Sequence, residues 1–179
     1  VQNSLRAGAK LVEIQLTEED PNDQIRLCVS DNGKGMDQET VQKAIDPYYT
    51  SRRSRNVGLG LPLLKQNAER TGGTFHIESA PGKGTLVDAR FVKSHLDLPA
   101  PGDLPGTIHQ IIVGNPLREF IFRYNLNRSG FVVDTREIRE ILEDWPLDHP
   151  RISGYIRELI DEYYEQARQN HDGSVVQHI

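Results

Sequence analysis

Apolar and polar positions alternate through Leu11, Val12, Glu13, Ile14, Gln15 and Leu16, and a second apolar run, Ile25 to Val29, follows an acidic turn with Pro and Asn at residues 18–23. The two runs predict a hairpin. Thr74 to Ser79 and Thr85 to Val92 predict a second strand pair, joined by the turn Ala80-Pro81-Gly82-Lys83-Gly84. Helical spacing fills the intervals. Asp37 is placed to cap a helix carrying Thr40, Val41, Ala44 and Ile45 that stops at Asp46-Pro47. A further helix runs from about Leu61 to Arg70, with Pro62 in its first turn and Gly72-Gly73 behind it. The chain opens on Val1 to Arg6, a helical stretch of barely two turns that ends at Gly8 and has no capping residue in front.

The stretch from Leu98 to Gly106 holds three prolines and two glycines in nine residues and reads as a linker, which divides the chain into residues 1–97, 98–106 and 107–179. Beyond it, Thr107 to Val113 is apolar and strand-like. Phe120, Phe122, Tyr124 and Leu126 alternate with Ile121, Arg123 and Asn125, turn at Asn127-Arg128-Ser129-Gly130 and return through Phe131-Val132-Val133. Asp134 with Glu137 resembles a capping box for a helix over Arg136 to Glu143. From about Pro150 to Gln169, Ile152, Ile156, Leu159, Ile160, Tyr163 and Ala167 share one helix face, a stripe suited to core or interface. The segment 107–179 thus reads as a small α+β domain.

Composition narrows the class. With 36% apolar and 26% charged residues, the chain has the mixture of an ordinary globular protein that builds its own core. The single cysteine, Cys28, has no partner for an internal disulfide and sits in a strand-like run, which points to a reduced compartment and a cytoplasmic protein. No apolar run approaches the roughly 18 residues of a membrane span, and no secretory signal is visible. A net charge of −5 argues against a protein that coats nucleic acid. Residues up to Leu98 carry 13 basic and 13 acidic side chains, whereas Pro99 to Ile179 carry eight arginines, no lysine and 13 acids.

Chemistry concentrates in three Gly-x-Gly elements: Asp31-Asn32-Gly33-Lys34-Gly35-Met36, Gly58-Leu59-Gly60 and Gly82-Lys83-Gly84-Thr85. Fifteen glycines in 179 residues make about one such element expected by chance, so a single copy carries little information. An aspartate two residues ahead of the first, and the ordered recurrence behind it, carry more.

On these residues, 2–92 resemble the GHKL ATPases, the Bergerat-fold superfamily that includes gyrase, the heat-shock chaperone, histidine kinases and the mismatch-repair ATPase. Gln2-Asn3-Ser4-Leu5-Arg6-Ala7-Gly8-Ala9 is similar to the asparagine box, in wording nearest the mismatch-repair branch. Asp31 to Met36 is similar to the first glycine box. Asp46-Pro47-Tyr48-Tyr49-Thr50-Ser51-Arg52, Val57-Gly58-Leu59-Gly60-Leu61, Thr71-Gly72-Gly73 and Ser79 to Thr85 read like the histidine-kinase branch. The resemblance implies an α/β (α+β) fold, a two-layer sandwich with a mixed sheet and helices on one face, here followed by the small α+β domain.

It also implies roles. Asp31 would accept a hydrogen bond from the adenine amino group, with Gly33, Gly35 and Met36 shaping the pocket and Thr85 supporting it directly or through water. Asn3 would offer its side-chain oxygen to Mg2+, and Arg6, one helical turn on, would face phosphate. Asn56 to Gly60 would form the moving lid, and Gly58, Leu59, Gly60 and Leu61 would lead into the helix whose first N–H groups meet phosphates. Thr50 and Arg52 belong to the basic arm Thr50 to Arg55 ahead of that lid, which suits either the γ-phosphate or a partner, or is simply solvated.

Two family features are not in these residues. The general-base glutamate would stand four residues before Asn3, ahead of Val1; either the natural protein begins earlier, which the uncapped first helix favours, or the chain binds ATP without that base. The last lysine is Lys93, so residues 107–179 have no lysine to reach a γ-phosphate in the manner of gyrase-like and repair-like members. His171-Asp172 has the form of a phosphoacceptor, but Gly173-Ser174 follows at once and it reads as a tail histidine. The expected activity is Mg-ATP binding with γ-phosphoryl transfer to a histidine upstream or on a partner. The alternatives are a nucleotide-sensing module that relays its state through 107–179 to a protein partner, and a slow ATPase. A homodimer is compatible with each.

Overall fold

The computed structural model describes residues 1–48, 59–143, 145–169 and, as backbone, 176–178. Helix α1 is Gln2–Arg6, followed by the hairpin β1 (Leu11–Glu19) and β2 (Gln24–Asp31). The connection is a 3-10 turn, Asp20–Asn22, closed by Asp23 at φ 48°. Helices α2 (Gln38–Ile45) and α3 (Gly60–Arg70) precede the pair β3 (Thr74–Ala80) and β4 (Gly84–Val92). Asp37 caps α2 by accepting the Thr40 N–H, as its sequence position predicted.

Residues 104–113 depart from expectation. The stretch expected as a strand over Thr107 to Val113 is helix α4, Leu104–Val113, and it starts inside the presumed linker. Asp103 caps it through the Gly106 N–H, and Pro105 occupies the first turn, where its missing N–H costs no intrahelical bond. Ile108, Ile111 and Ile112 then fall at the helical spacing of one inward face. At its start α4 is held against α6, the helix Pro150–Gln169: Arg157 donates to both Asp103 carboxylate oxygens at 3.2 and 3.3 Å.

Strands β5 (Glu119–Leu126) and β6 (Ser129–Asp134) do not form a sheet of their own. Strand β5 pairs in parallel with β1, Val12 opposite Phe120 and Leu16 opposite Tyr124, and β7 (Val176–His178) adds in parallel to β6. The order is β3-β4-β2-β1-β5-β6-β7, one mixed sheet through both parts of the chain. The core is equally shared. Val12 and Ile14 pack in one cluster with Ile108, Ile112, Phe120, Phe122, Ile156 and Ile160. A smaller cluster of Ala68, Ala89 and Phe91 joins α3 to β4. Because opposed residues of neighbouring strands share a face, the helices cover the side of Leu27, Val29 and Asp31. The other side shows Arg26, Cys28, Asp88, Arg90 and Arg123.

Polar links fasten β5 on both sides. The buried Tyr124 hydroxyl donates to Glu18 Oε1 at 2.9 Å, and burial with that carboxylate raises its pKa far above the ordinary phenol value. At the other end of β5, Thr135 is fully buried at the start of α5 (Thr135–Leu142); its Oγ1 accepts the Phe120 N–H and donates to Glu119. Asp134 caps α5, but by accepting from Arg136, whose N–H and guanidinium both reach it, rather than through Glu137. Thr135→Val keeps the shape and strands a buried donor, so it should lower unfolding free energy by about 1–3 kcal/mol, read from denaturant midpoints at unchanged slope.

Candidate functional site

The site forms where three sequence elements meet at the ends of α1, β2 and β4. The Ala7 carbonyl accepts the Lys34 N–H at 3.0 Å, and the Lys34 carbonyl accepts the Gly82 N–H at 2.7 Å, so the asparagine-bearing helix and the first and last glycine elements are joined in series. Asn32 adds a clamp: its Oδ1 accepts the N–H groups of Lys10 and Leu11 at 2.8 and 3.0 Å. Close approach explains two glycines. A Cβ on Gly35 (φ +66°) would lie 1.9 Å from the Ala80 oxygen, and one on Gly84 (φ +81°) 1.8 Å from the Asp31 oxygen.

Asp31 ends β2 beside Thr85 of β4, its register partner. One carboxylate oxygen accepts the Gly33 N–H at 2.9 Å, which fixes the side chain, and the carboxylate offers acceptors only. Behind Thr85 stands Ser79, whose Oγ contacts Thr85 Oγ1 at 3.0 Å, accepts the Met36 N–H at 2.8 Å and donates to the Gly84 carbonyl at 2.8 Å.

Asp31 and Thr85 open on a cavity of about 940 Å3, within the size range of small-molecule sites. Of the expected residues, Asn3, Arg6, Asp31, Gly35, Met36, Gly60, Leu61 and Thr85 line it. Gly33 is not on the lining and acts through the turn that orients Asp31. Leu59 is the cap position of α3 and is half exposed; its own side chain makes no capping bond, and among the described residues no side chain bonds the first N–H groups of that helix, at Gly60 and Leu61. Thr50, Arg52 and Gly58, with most of the expected lid and His171-Asp172, lie outside the described residues.

Sequence reading missed part of the wall. Leu104, Thr107, Ile108 and Ile111 of α4 and Phe120 and Phe122 of β5 line the same cavity, opposite Leu64 of α3 and over a floor of Ile14, Leu16, Leu27 and Val29. Asp103 ahead of Pro105 was a legible start signal for α4, but nothing local ties that helix to Asp31. Ser79 was legible only as part of a motif.

Comparison with known proteins identifies the family. Residues 1–95 match the family model described as histidine kinase-, DNA gyrase B-, and HSP90-like ATPase. The sensor histidine kinase YvrG of Bacillus subtilis is 35% identical over 95 residues, covering 51% of this chain and 16% of the relative. The sensor histidine kinase ZraS of Klebsiella oxytoca is 44% identical over 62 residues, 35% of this chain and 13% of the relative. The chain therefore spans less than one-fifth of the length of these relatives. Among solved structures, the catalytic domain of histidine kinase ThkA aligns at 25% identity and TM-score 0.39 over 51% of this chain and 60% of that one. The N-terminal domain of a DNA repair protein aligns at 16% identity and TM-score 0.43, over 70% and 46% respectively. With the match spanning more than half of its length, this chain belongs to the histidine kinase-, gyrase B- and HSP90-like ATPase family, as an ATP-binding domain of histidine-kinase type.

Proposed function

We propose that this chain binds Mg-ATP and presents the γ-phosphate for transfer to a histidine, carried upstream in the same protein or on a partner. The observation that carries the reading is the convergence of Asn3, Arg6, Asp31, Gly60 and Thr85 on one cavity. In it, Asp31 and Thr85 read the adenine edge while Gly35 and Met36 shape the pocket and Gly33 holds the turn that orients Asp31. Arg6 and the first N–H groups of α3, at Gly60 and Leu61, neutralise phosphate charge, and Thr50, Arg52 and Gly58 complete the phosphate side. Among the described residues no group of three or more His, Cys, Asp or Glu assembles. A single amide oxygen from Asn3 suits Mg2+, which keeps several waters and takes its other ligands from phosphates. The ion would supply charge neutralisation.

In the transfer, a histidine nitrogen attacks the γ-phosphorus, the bond to the β–γ bridging oxygen breaks, ADP leaves, and the imidazole proton passes to a base. The chain's own contribution is positioning and electrostatics. Sensor kinases among the relatives favour this outcome over slow hydrolysis. The complete protein, incubated with γ-labelled ATP and Mg2+, should acquire acid-labile, base-stable label. Tight ATP binding without label, with and without candidate partners, would reject transfer.

That second outcome fits nucleotide sensing, which one observation favours. Helix α4 lines the cavity and is tied to α6 by Arg157 on Asp103 and by His109 Nε2 within 3.0 Å of the Ser153 carbonyl. Cavity occupancy therefore bears on residues 107–179, where Leu117, Ile141, Trp145 and Tyr155 are exposed for a protein partner or a second copy of the chain. No helix among the described residues is long and apolar enough to cross a membrane. A cytoplasmic setting for this chain is part of the proposal.

A further inference from the structure

Hydroxyl groups donate once and accept twice, so a crowded hydroxyl pair can have its proton positions fixed by its neighbours. Ser79 Oγ has three partners. The Met36 N–H, at 2.8 Å, can only donate, and the Gly84 carbonyl, at 2.8 Å, can only accept. The Ser79 proton therefore goes to Gly84, and one of its lone pairs to Met36. What is left for Thr85 Oγ1, at 3.0 Å, is the second lone pair of Ser79, so Thr85 must donate to it. With its only proton turned back into the protein, Thr85 faces the cavity as an acceptor. Thr85 lines the cavity and Ser79 does not. Directly across the strand pair from Thr85 is Asp31, whose carboxylate also only accepts.

We propose that Ser79 is a specificity-determining positioning residue, which locks the Thr85 hydroxyl as an acceptor so that this end of the pocket demands a hydrogen-bond donor at position 6 of a purine. The inference rests on the reading of Asp31 and Thr85 as the base-facing pair. A 6-amino purine brings two N–H donors to two acceptors. A 6-oxo purine keeps one donor on this edge, N1–H, but at position 6 turns the lone pairs of its oxygen against those acceptors, which leaves buried polar groups unpaired there and is rejected more strongly than a missing apolar contact. Without Ser79, the Thr85 proton is released to rotate toward the ligand, and the oxo group regains a partner.

Affinities of the full chain for ATP and inosine triphosphate, measured by calorimetry, test this. Wild type should prefer ATP. In Ser79→Ala the preference should fall about tenfold, chiefly through tighter inosine triphosphate binding, and Ser79→Thr, which keeps the hydroxyl, should restore it. A Ser79→Ala variant that melts as wild type with an unchanged ratio would overturn the proposal, as would an equal loss for both nucleotides, the mark of a merely structural role. Should Ser79→Ala not fold, the isosteric Thr85→Val removes the acceptor itself and should also lower the ratio; an unchanged ratio there counts against the proposal. Asp31→Asn separates the levels. If it leaves ATP affinity intact, the adenine reading itself fails; if it weakens ATP while Ser79→Ala leaves the ratio alone, only the role of Ser79 fails.

Discussion

Asp31→Asn should weaken ATP binding by roughly 10- to 100-fold while leaving the fold in place. Losing a hydrogen bond to a charged group costs about 1.5–3 kcal/mol, at about 1.4 kcal/mol per tenfold. The substitution is chosen for what it preserves. An asparagine keeps an oxygen for the Gly33 N–H, which Asp31 Oδ1 now accepts at 2.9 Å, so the turn into the first glycine element survives. That geometry directs the new NH2 group to the position of the other carboxylate oxygen, where it confronts the adenine amino group donor to donor. Titration calorimetry reads the loss, and a thermal midpoint within a few degrees of wild type shows that the pocket still forms. Equal affinity in the two proteins would remove Asp31 from the base-reading role and with it the orientation of the nucleotide.

What the sequence made legible follows the range over which each signal acts. Strands β1 to β4 were visible because period-two alternation and turn residues are local, and the α2 cap because Asp37 and Thr40 are three residues apart. Helix α4 was obscured by Pro105 and Gly106, which break a helix interior but are tolerated in a first turn behind a capping Asp103. The continuous sheet was not legible at all. Val12, Ile14 and Leu16 declare which face of β1 is buried, but the choice of β5 as its parallel neighbour rests on packing across more than 100 residues, with Phe120 and Phe122 entering the same core as Val12 and Ile14. The candidate site divides in the same way. Asp31, Gly35 and Thr85 are carried by motifs, whereas the α4 wall and the proton arrangement around Ser79 depend on which strands and helices come together.

Gly84→Ala should be, with Gly35→Ala, among the most damaging single-methyl changes at the site. Two costs add there. The backbone at φ +81° is left-handed, about 1–2 kcal/mol for a residue with a Cβ, and the new Cβ would sit 1.8 Å from the Asp31 carbonyl oxygen and 2.9 Å from its carbon. Those neighbours are backbone atoms of β2, held by the pairing of Asp31 with Thr85, so no side chain can move aside and the strands must part. Together the terms give a loss of about 3 kcal/mol or more, which for a chain of this size lowers the melting midpoint by roughly 6–12 °C. Gly82→Ala is the internal control. It shares the left-handed backbone, φ +74°, but has nothing within 4 Å of its Cβ, so only the conformational term of about 1–2 kcal/mol applies. Melting curves of the two variants therefore isolate the cost of close approach, and nucleotide titration should divide them further. Parting β2 from β4 moves Asp31 away from Thr85, so Gly84→Ala should lose ATP affinity even at temperatures where it is folded, while Gly82→Ala retains it. Equal destabilisation by both substitutions would mean that the interlocked glycine elements are not what sets the spacing of Asp31 and Thr85.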